Sequence, residues 1–201
     1  MNELFPDKKN IDFSKLKLTE EGKYSITKKQ DSQQILKHIC DIIDPLKPSE
    51  LELTDLTGNV GGDTINFGLH FKVVHSIEMS DENFEVLKNN VKVYDLKNIR
   101  LYHGDSLKIY NWKTDILYID APWGGPDYKL IEMNKLDLYL GTKRLDLFLK
   151  KILKESWKPS YIFLKVPRNF TFFRLKTLPN IEKIYKNKIR SFYLIGLKTN
   201  L

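Results

Sequence analysis

A chain of 201 residues, 41% hydrophobic and 12% aromatic, is long enough for one sizeable core and too apolar to be disordered. Its formal charge of +7 fits a polyanionic partner such as nucleic acid, although a solvated basic surface gives the same balance. The single cysteine, Cys40, cannot form an intrachain disulfide, no Cys/His metal spacing occurs, the N-terminus lacks a signal-peptide core, and no apolar run reaches membrane-spanning length. An intracellular protein, in nucleus or cytoplasm, with no metal and no membrane partner is therefore expected.

Residues 1–30 are polar and poorly periodic and read as an N-terminal arm with short elements; 31–201 read as one domain. Ile35, Leu36, Ile39, Cys40 and Ile43 fall on one helical stripe, which predicts a helix over 32–43, capped by Asp31 or Ser32 and ended by Pro45 and Pro48. Strand-like and helix-like segments then alternate. "ELELTDL" predicts a strand, "GGDTINFGLHF" a helix opening at its glycines, and "KVVHSIE" a second strand. "SDENFEVLKNNVKVY" follows as a helix capped by Ser80 or Asp81, with Phe84, Leu87 and Val91 inward. "IRLYHG" and "TDILYID" are further strands, 143–156 an amphipathic helix on Leu145, Phe148, Leu149 and Ile152, and "SYIFLKVP" a strand. "IEKIYKNK" and "RSFYLIGLKT" close the chain as a hairpin around Lys186-Asn187-Lys188. This order implies an α/β fold, a mostly parallel seven-stranded sheet with helices on both faces. Ligands of such sheets bind at the carboxyl ends of the strands.

The loops at those ends carry the chemistry. In "DLTGNVGGDT", Asp55 to Thr64, Gly58, Gly61 and Gly62 permit close backbone approach, and Asn59 tolerates the left-handed region. An ordinary strand-to-helix turn would look the same. The dinucleotide fingerprint and the phosphate-loop motif are both absent. Glu78 ends the second strand about twenty residues past the glycines, where an acid can accept both ribose hydroxyls of a nucleoside; a charge favouring the next helix is the plainer reading. Asp105 follows the third strand and a glycine, a pairing also common in plain turns. After the fourth strand stands Asp120-Ala121-Pro122-Trp123, within "YIDAPWGGPDYK".

As an ordered set these markers resemble the Rossmann-like class I methyltransferases that use S-adenosyl-L-methionine. Members acting on exocyclic or amide nitrogens carry [DNS]-P-P-[WFY] after strand four. An exocyclic amine is a poor nucleophile because its lone pair is delocalised. A side-chain oxygen and a backbone carbonyl can orient that lone pair for an in-line displacement governed by positioning. The aromatic residue stacks on the base, an interaction of about 1–3 kcal/mol. A cationic base adds a cation–π attraction of about 0.5–2 kcal/mol.

The longer string "APWGGPDYK" is similar to the trimethylguanosine synthases, which methylate the N2 amine of the 7-methylguanosine cap of RNA. "KLTEEGKYSIT", "DLTGNVGGDTINF" and "IFLKVPRN" resemble further segments of that family, and the matches span Lys17 to about Asn169. The resemblance implies that Trp123 stacks on 7-methylguanine with Tyr24 as a second wall. Asp120 and the carbonyls near Ala121 and Pro122 would orient the amine. Asp55, Gly58, Asn59, Gly61, Gly62, Glu78, Asp105, Ser106 and Asp120 would line the methyl-donor site. Arg168 and Asn169, with Lys17 or Lys165, would meet the substrate, the basic side chains at the cap triphosphate. Capped RNA is the implied partner, and a minimal or viral form acting in the host cytoplasm fits the chain length.

Three places depart from the family pattern. In one, Thr27 is followed by Lys28-Lys29 where the family has Pro-Glu. Ala121 replaces the first proline, and Asn59 stands where the first motif glycine is, with a glycine moved to Gly58. Two alternatives stay open: an N2-guanine or N6-adenine methyltransferase on other RNA, and a catalytically silent cap- or RNA-binding module serving as an assembly partner.

Overall fold

The computed structural model describes residues 1–200. The arm contains a 3-10 turn at Phe13–Lys15 and a short helix, α1 (Glu20–Ser25), whose start is capped where the Thr19 hydroxyl accepts the Gly22 N–H at 2.8 Å. Helix α2 (Lys29–Ile43) follows at once. It begins earlier than the sequence predicts and neither Asp31 nor Ser32 caps it; Lys28 is the N-cap and contributes no side-chain bond. Ser32 has instead been drawn into tertiary structure, its buried hydroxyl accepting from Asn66 at 3.0 Å.

The alternating part runs β1 (Glu52–Asp55), α3 (Gly62–Gly68), β2 (Val73–Glu78), α4 (Asp81–Val93), β3 (Ile99–His103), α5 (Ser106–Ile109) and β4 (Ile116–Ile119). Ser80 caps α4, accepting the Asn83 N–H. A two-residue ladder, β5 (Tyr139–Leu140) with β6 (Lys143–Arg144), precedes α6 (Leu145–Ile152). The predicted helix over 143–156 is thus shortened at both ends: its first residues pair in the ladder, and Leu153 onward turns away. Then come β7 (Tyr161–Pro167), β8 (Ile181–Ile189) and β9 (Phe192–Thr199). The hairpin turns at Arg190-Ser191, with Arg190 at φ +46°, and not around Lys186–Lys188, which lie inside β8.

Seven strands form one sheet in the order β3-β2-β1-β4-β7-β9-β8. β3, β2, β1, β4 and β7 are parallel neighbours, and β9 pairs antiparallel with both β7 and β8. Strands β4 and β7 read as continuous apolar runs because both of their faces are covered. Ile116 and Tyr118 face α2, while Leu117 and Ile119 face α6. The chain moves outward from β1 through β2 to β3, then crosses back to β4 on β1's other side. This opens a crevice at the carboxyl ends of β1 and β4, the switch point where α/β sheets take ligands.

The arm is anchored on the far side of α4. Phe5 is fully buried in a cluster with Leu16, Ile26, Leu87 and Tyr94, and the Tyr94 hydroxyl donates to the Pro6 carbonyl. Replacing Phe5 with Ala is expected to destabilise the fold by about 3–5 kcal/mol through the cavity it leaves. Urea unfolding measures this; an unchanged midpoint would mean that the arm is not part of the cooperative unit.

Candidate active site

The first wall of the crevice is built by β1 and its glycine turn. Asp55, the last residue of β1, is buried, and its carboxylate accepts from the Thr57 N–H (3.0 Å), the Thr57 hydroxyl (3.3 Å) and the Thr64 hydroxyl (2.6 Å). Burial outweighs these bonds and pushes its carboxyl up to about 7. Asp55 therefore shapes the turn from below. Gly58 is required by close approach, since a Cβ there would lie 2.4 Å from the Ser76 hydroxyl. Asn59 takes the left-handed conformation at φ +48°, and Gly61 at φ +99° starts α3.

Glu78 closes the turn from β2. Its carboxylate accepts the Asn59 N–H on one oxygen and the Ser80 N–H on the other, both at 2.7 Å. Burial raises its pKa against those bonds, and each oxygen keeps a lone pair for a ligand. Asp105 caps α5 by accepting the Leu107 N–H at 2.9 Å. Ser106 is buried and donates to the Leu56 carbonyl, so its hydroxyl braces β1.

The second wall joins the arm to strands four and seven of the chain. The Lys165 ammonium, on β7, donates to Asp120 at 2.6 Å and to the Thr27 hydroxyl at 2.8 Å. Thr27 in turn donates to Asp63 at 2.6 Å, and the Tyr118 hydroxyl donates to the same Asp63 oxygen at 2.9 Å. Burial works against the Lys165 ammonium, but Asp120 and Asp63 beside it prevail and hold its pKa above the usual value. Burial raises Asp120, with the Lys165 charge opposing. Lys165 is 6% exposed. It thus lies beneath the crevice floor, away from the triphosphate position that the resemblance offers to Lys17 or Lys165. Ser25 accepts from the Asn59 side chain at 2.8 Å, and Ile26 leaves no room for a side chain at Gly62. Thr27, Asp63, Thr57 and Ser25 were not among the sequence-stated site residues; the strings "KYSIT" and "GGDT" that hold most of them gave the only signal.

The backbone after β4 is fixed on both sides. The Asp120 N–H donates to the Thr57 hydroxyl at 2.9 Å, and Ala121 is 1% exposed within the α6-side core. This burial restrains the position where proline would otherwise do so. Pro122 is exposed. Trp123 is half-buried, edge-to-face with Tyr128 at 5.1 Å, 6.3 Å from Phe192, with the Lys165 ammonium 5.5 Å from its ring centroid. Its indole N–H is buried and meets no acceptor at full hydrogen-bond geometry among the described residues, but it lies close enough to the Asp120 carboxylate to help lower that group's pKa against the burial that raises it. Gly124 and Gly125 follow at φ +89° and +76°.

The remaining sequence-stated residues spread out. Asn169 is buried and ties down the loop after Trp123, donating to the Tyr128 and Ile131 carbonyls at 2.6 and 2.9 Å. Arg168 is exposed at the rim, its guanidinium donating to the Arg190 carbonyl. Tyr24 is 74% exposed on α1, with no ring contact to Trp123 among the described residues. Lys17 is held by Asn90 of α4 through its backbone and lines a groove between arm and α4, outside the set around Asp120.

A small cavity lies between Ser25–Thr27, Thr57–Asn59, Gly62–Asp63 and Asp120. Asp63, which lines it, keeps one buried oxygen with no partner among the described residues, and Glu78 closes the glycine turn nearby. Such acceptors suit a ligand with a cationic end and a diol. No cluster of His, Cys, Asp or Glu among the described residues is placed to hold a metal, and no helix among them is long and apolar enough to cross a membrane.

The pattern described as RNA cap guanine-N2 methyltransferase matches residues 51–198, from β1 to the end of β9. The chain belongs to that family. An uncharacterized protein of Acanthamoeba polyphaga mimivirus is 32% identical over 61% of this chain and 48% of its own length. The trimethylguanosine synthase of Saccharomyces cerevisiae is 26% identical over 79% of this chain and 50% of its own. This chain therefore spans about half the length of these curated relatives. Among solved structures, a Thermus thermophilus 16S rRNA N2 methyltransferase in complex with AdoMet and guanosine superposes with a TM-score of 0.64 at 13% identity, over 85% of this chain and 43% of that one. The family fold, class I and Rossmann-like, is the one the sequence implied.

Two outcomes test this geometry. Asp55 is raised in the folded state, so its stabilisation is complete below the unfolded carboxylate range and is lost as pH rises through about 7. The melting temperature of Asp55→Asn should therefore fall less than that of the native chain between pH 5 and 8; parallel curves would refute the shift. Lys165→Met strands a buried carboxylate and should cost about 3–5 kcal/mol in denaturant unfolding. Adding Asp120→Asn should recover part of that loss, and strict additivity would show that the two do not interact.

Proposed function

We propose that this protein transfers a methyl group from S-adenosyl-L-methionine to the exocyclic N2 amine of 7-methylguanosine in an RNA 5′ cap. The observation that carries the reading is Asp120-Ala121-Pro122-Trp123 at the switch-point crevice, with Asp120 held by Thr57 and Lys165, in a chain of the cap guanine-N2 family. The cofactor supplies an electrophilic methyl on a cationic sulfonium. Glu78 has lone pairs for its ribose hydroxyls, and the unpartnered Asp63 oxygen suits its ammonium. Asp105 is left to the base, through the oxygen that the helix cap does not use.

On the substrate side, Trp123 offers a ring for the guanine to stack on, its other contacts taken by Tyr128 and Phe192. Asp120 accepts from Lys165 through one oxygen, which leaves the other to accept an amine N–H and aim the nitrogen lone pair. The Ala121 and Pro122 carbonyls are candidates for the second N–H. As the new C–N bond replaces the methyl–sulfur bond, the amine must shed a proton, and Asp120, paired with Lys165, is the carboxylate at hand. Arg168 at the rim suits the cap triphosphate. The yeast relative, a trimethylguanosine synthase, supports guanine over adenine.

Transfer of labelled methyl to a 7-methylguanosine cap analogue tests the reading. Trp123→Ala should lower the apparent affinity for the analogue by about tenfold or more, from the lost stacking. No transfer to the analogue, alongside efficient transfer to uncapped RNA, would sink cap specificity.

A further inference from the structure

Strand β8 is one of the two edges of the sheet, and α2 packs against one of its faces. On the other face stand Ile184, Lys186 and Lys188, level with Leu197, Ile195 and Tyr193 of β9, and all three are exposed. Lysines on an edge strand commonly guard it against pairing with another chain. Two observations go beyond that role. The Lys186 ammonium is cradled, 3.6 Å from the centroid of the Phe172 ring and 4.2 Å from that of Tyr193, and these rings meet edge to face at 5.5 Å. The strip is also in register with the active site. Tyr193 pairs with Val166 of β7 on one side and with Lys188 on the other. Arg168, just beyond β7, donates to the Arg190 carbonyl, which ties the hairpin turn to the rim of the crevice.

Charge points to the occupant. The hairpin places Lys183, Lys186, Lys188 and Arg190 against a single acid, Glu182, which Lys198 engages at 2.8 Å. Arg190 is near Asp31 at 3.5 Å, but Lys186, Lys188 and Arg168 have no ion-pair partner among the described residues. Lys186 and Lys188 are two strand residues apart, about 6.6 Å, on the scale of one extended nucleotide step. The aromatic cradle holds the first cation in place before any ligand arrives.

We infer that the exposed face of the β8–β9 hairpin is a track for single-stranded RNA, holding the phosphates of the nucleotides that follow the cap. This rests on the cap-methylation reading for its direction: the cap sits at Trp123, and the chain passes the rim at Arg168 and runs along Lys188 and Lys186. The site then reads two things, a base at its floor and a polyanion on its flank. Short cap analogues engage only the first.

The test measures, on the full chain, fluorescence anisotropy with a capped and an uncapped single-stranded 20-mer, together with methylation of a cap dinucleotide and of the capped 20-mer. The variants are Lys186→Glu/Lys188→Glu and the milder Lys186→Gln/Lys188→Gln, with melting curves to verify folding. Both should bind either 20-mer about tenfold more weakly and show a salt slope shallower by about 1.4, the loss of two single-strand phosphate contacts. KM for the capped 20-mer should rise while dinucleotide methylation stays as in the native chain. Unchanged 20-mer affinity and slope in folded variants would overturn the track, and would leave the strip to a protein partner or to edge protection. If the native chain methylates no cap yet the variants lose RNA binding, the track stands and the cap reading falls.

Discussion

The ion pair between Lys165 and Asp120 is the contact on which the rest of the site depends. It joins the last parallel strand to the residue that opens the loop after β4, and through Thr27 and Asp63 it reaches the arm and the start of α3. A buried pair of this kind adds little net stability over an apolar substitute, because both charges give up hydration. Its value is positional. The ammonium can satisfy Asp120 only if β7, β4 and the arm all arrive in register, so one charge enforces the shape of the crevice.

The same pair divides the labour of Asp120. One carboxylate oxygen is committed to the protein, and the backbone N–H of the residue is committed to Thr57. What remains is one oxygen with a fixed direction. A lone carboxylate on a loop would sample many orientations, and positioning is what an in-line transfer to a weak nucleophile requires. Replacement of a loop proline by Ala121 is tolerable in this setting, since burial supplies the restraint that the pyrrolidine ring would supply elsewhere.

Much of this was legible in the sequence. Buried apolar runs announced β4 and β7, glycines marked the first turn, and the acids after the strands fell where the switch-point rule looks for them. The failures have physical causes. Helix α2 was given the wrong start because Ser32 resembles a cap, and nothing local reveals that Asn66 claims its hydroxyl. The hairpin turn was misplaced because Lys186-Asn187-Lys188 is polar like a turn, whereas an edge strand is polar for its own reasons. The resemblance offered Lys165, as an alternative to Lys17, at the cap triphosphate; that it lies buried was hidden because its partners, Asp120 and Thr27, are far away in sequence. Of the residues the resemblance assigns to the substrate, Asn169 and Lys165 brace the site from within, Arg168 marks its rim, and Lys17 lies against α4.

The bond from Lys165 to Thr27 spans 138 residues. Almost no local structure can anticipate it, and loops of that length close late and slowly. During synthesis from the N-terminus, the arm, the glycine turn and the loop after β4 all emerge before the lysine that links them. The chain can therefore acquire most of its sheet while the crevice is still unmade, and completion of the site becomes a signal that β7 has entered the sheet.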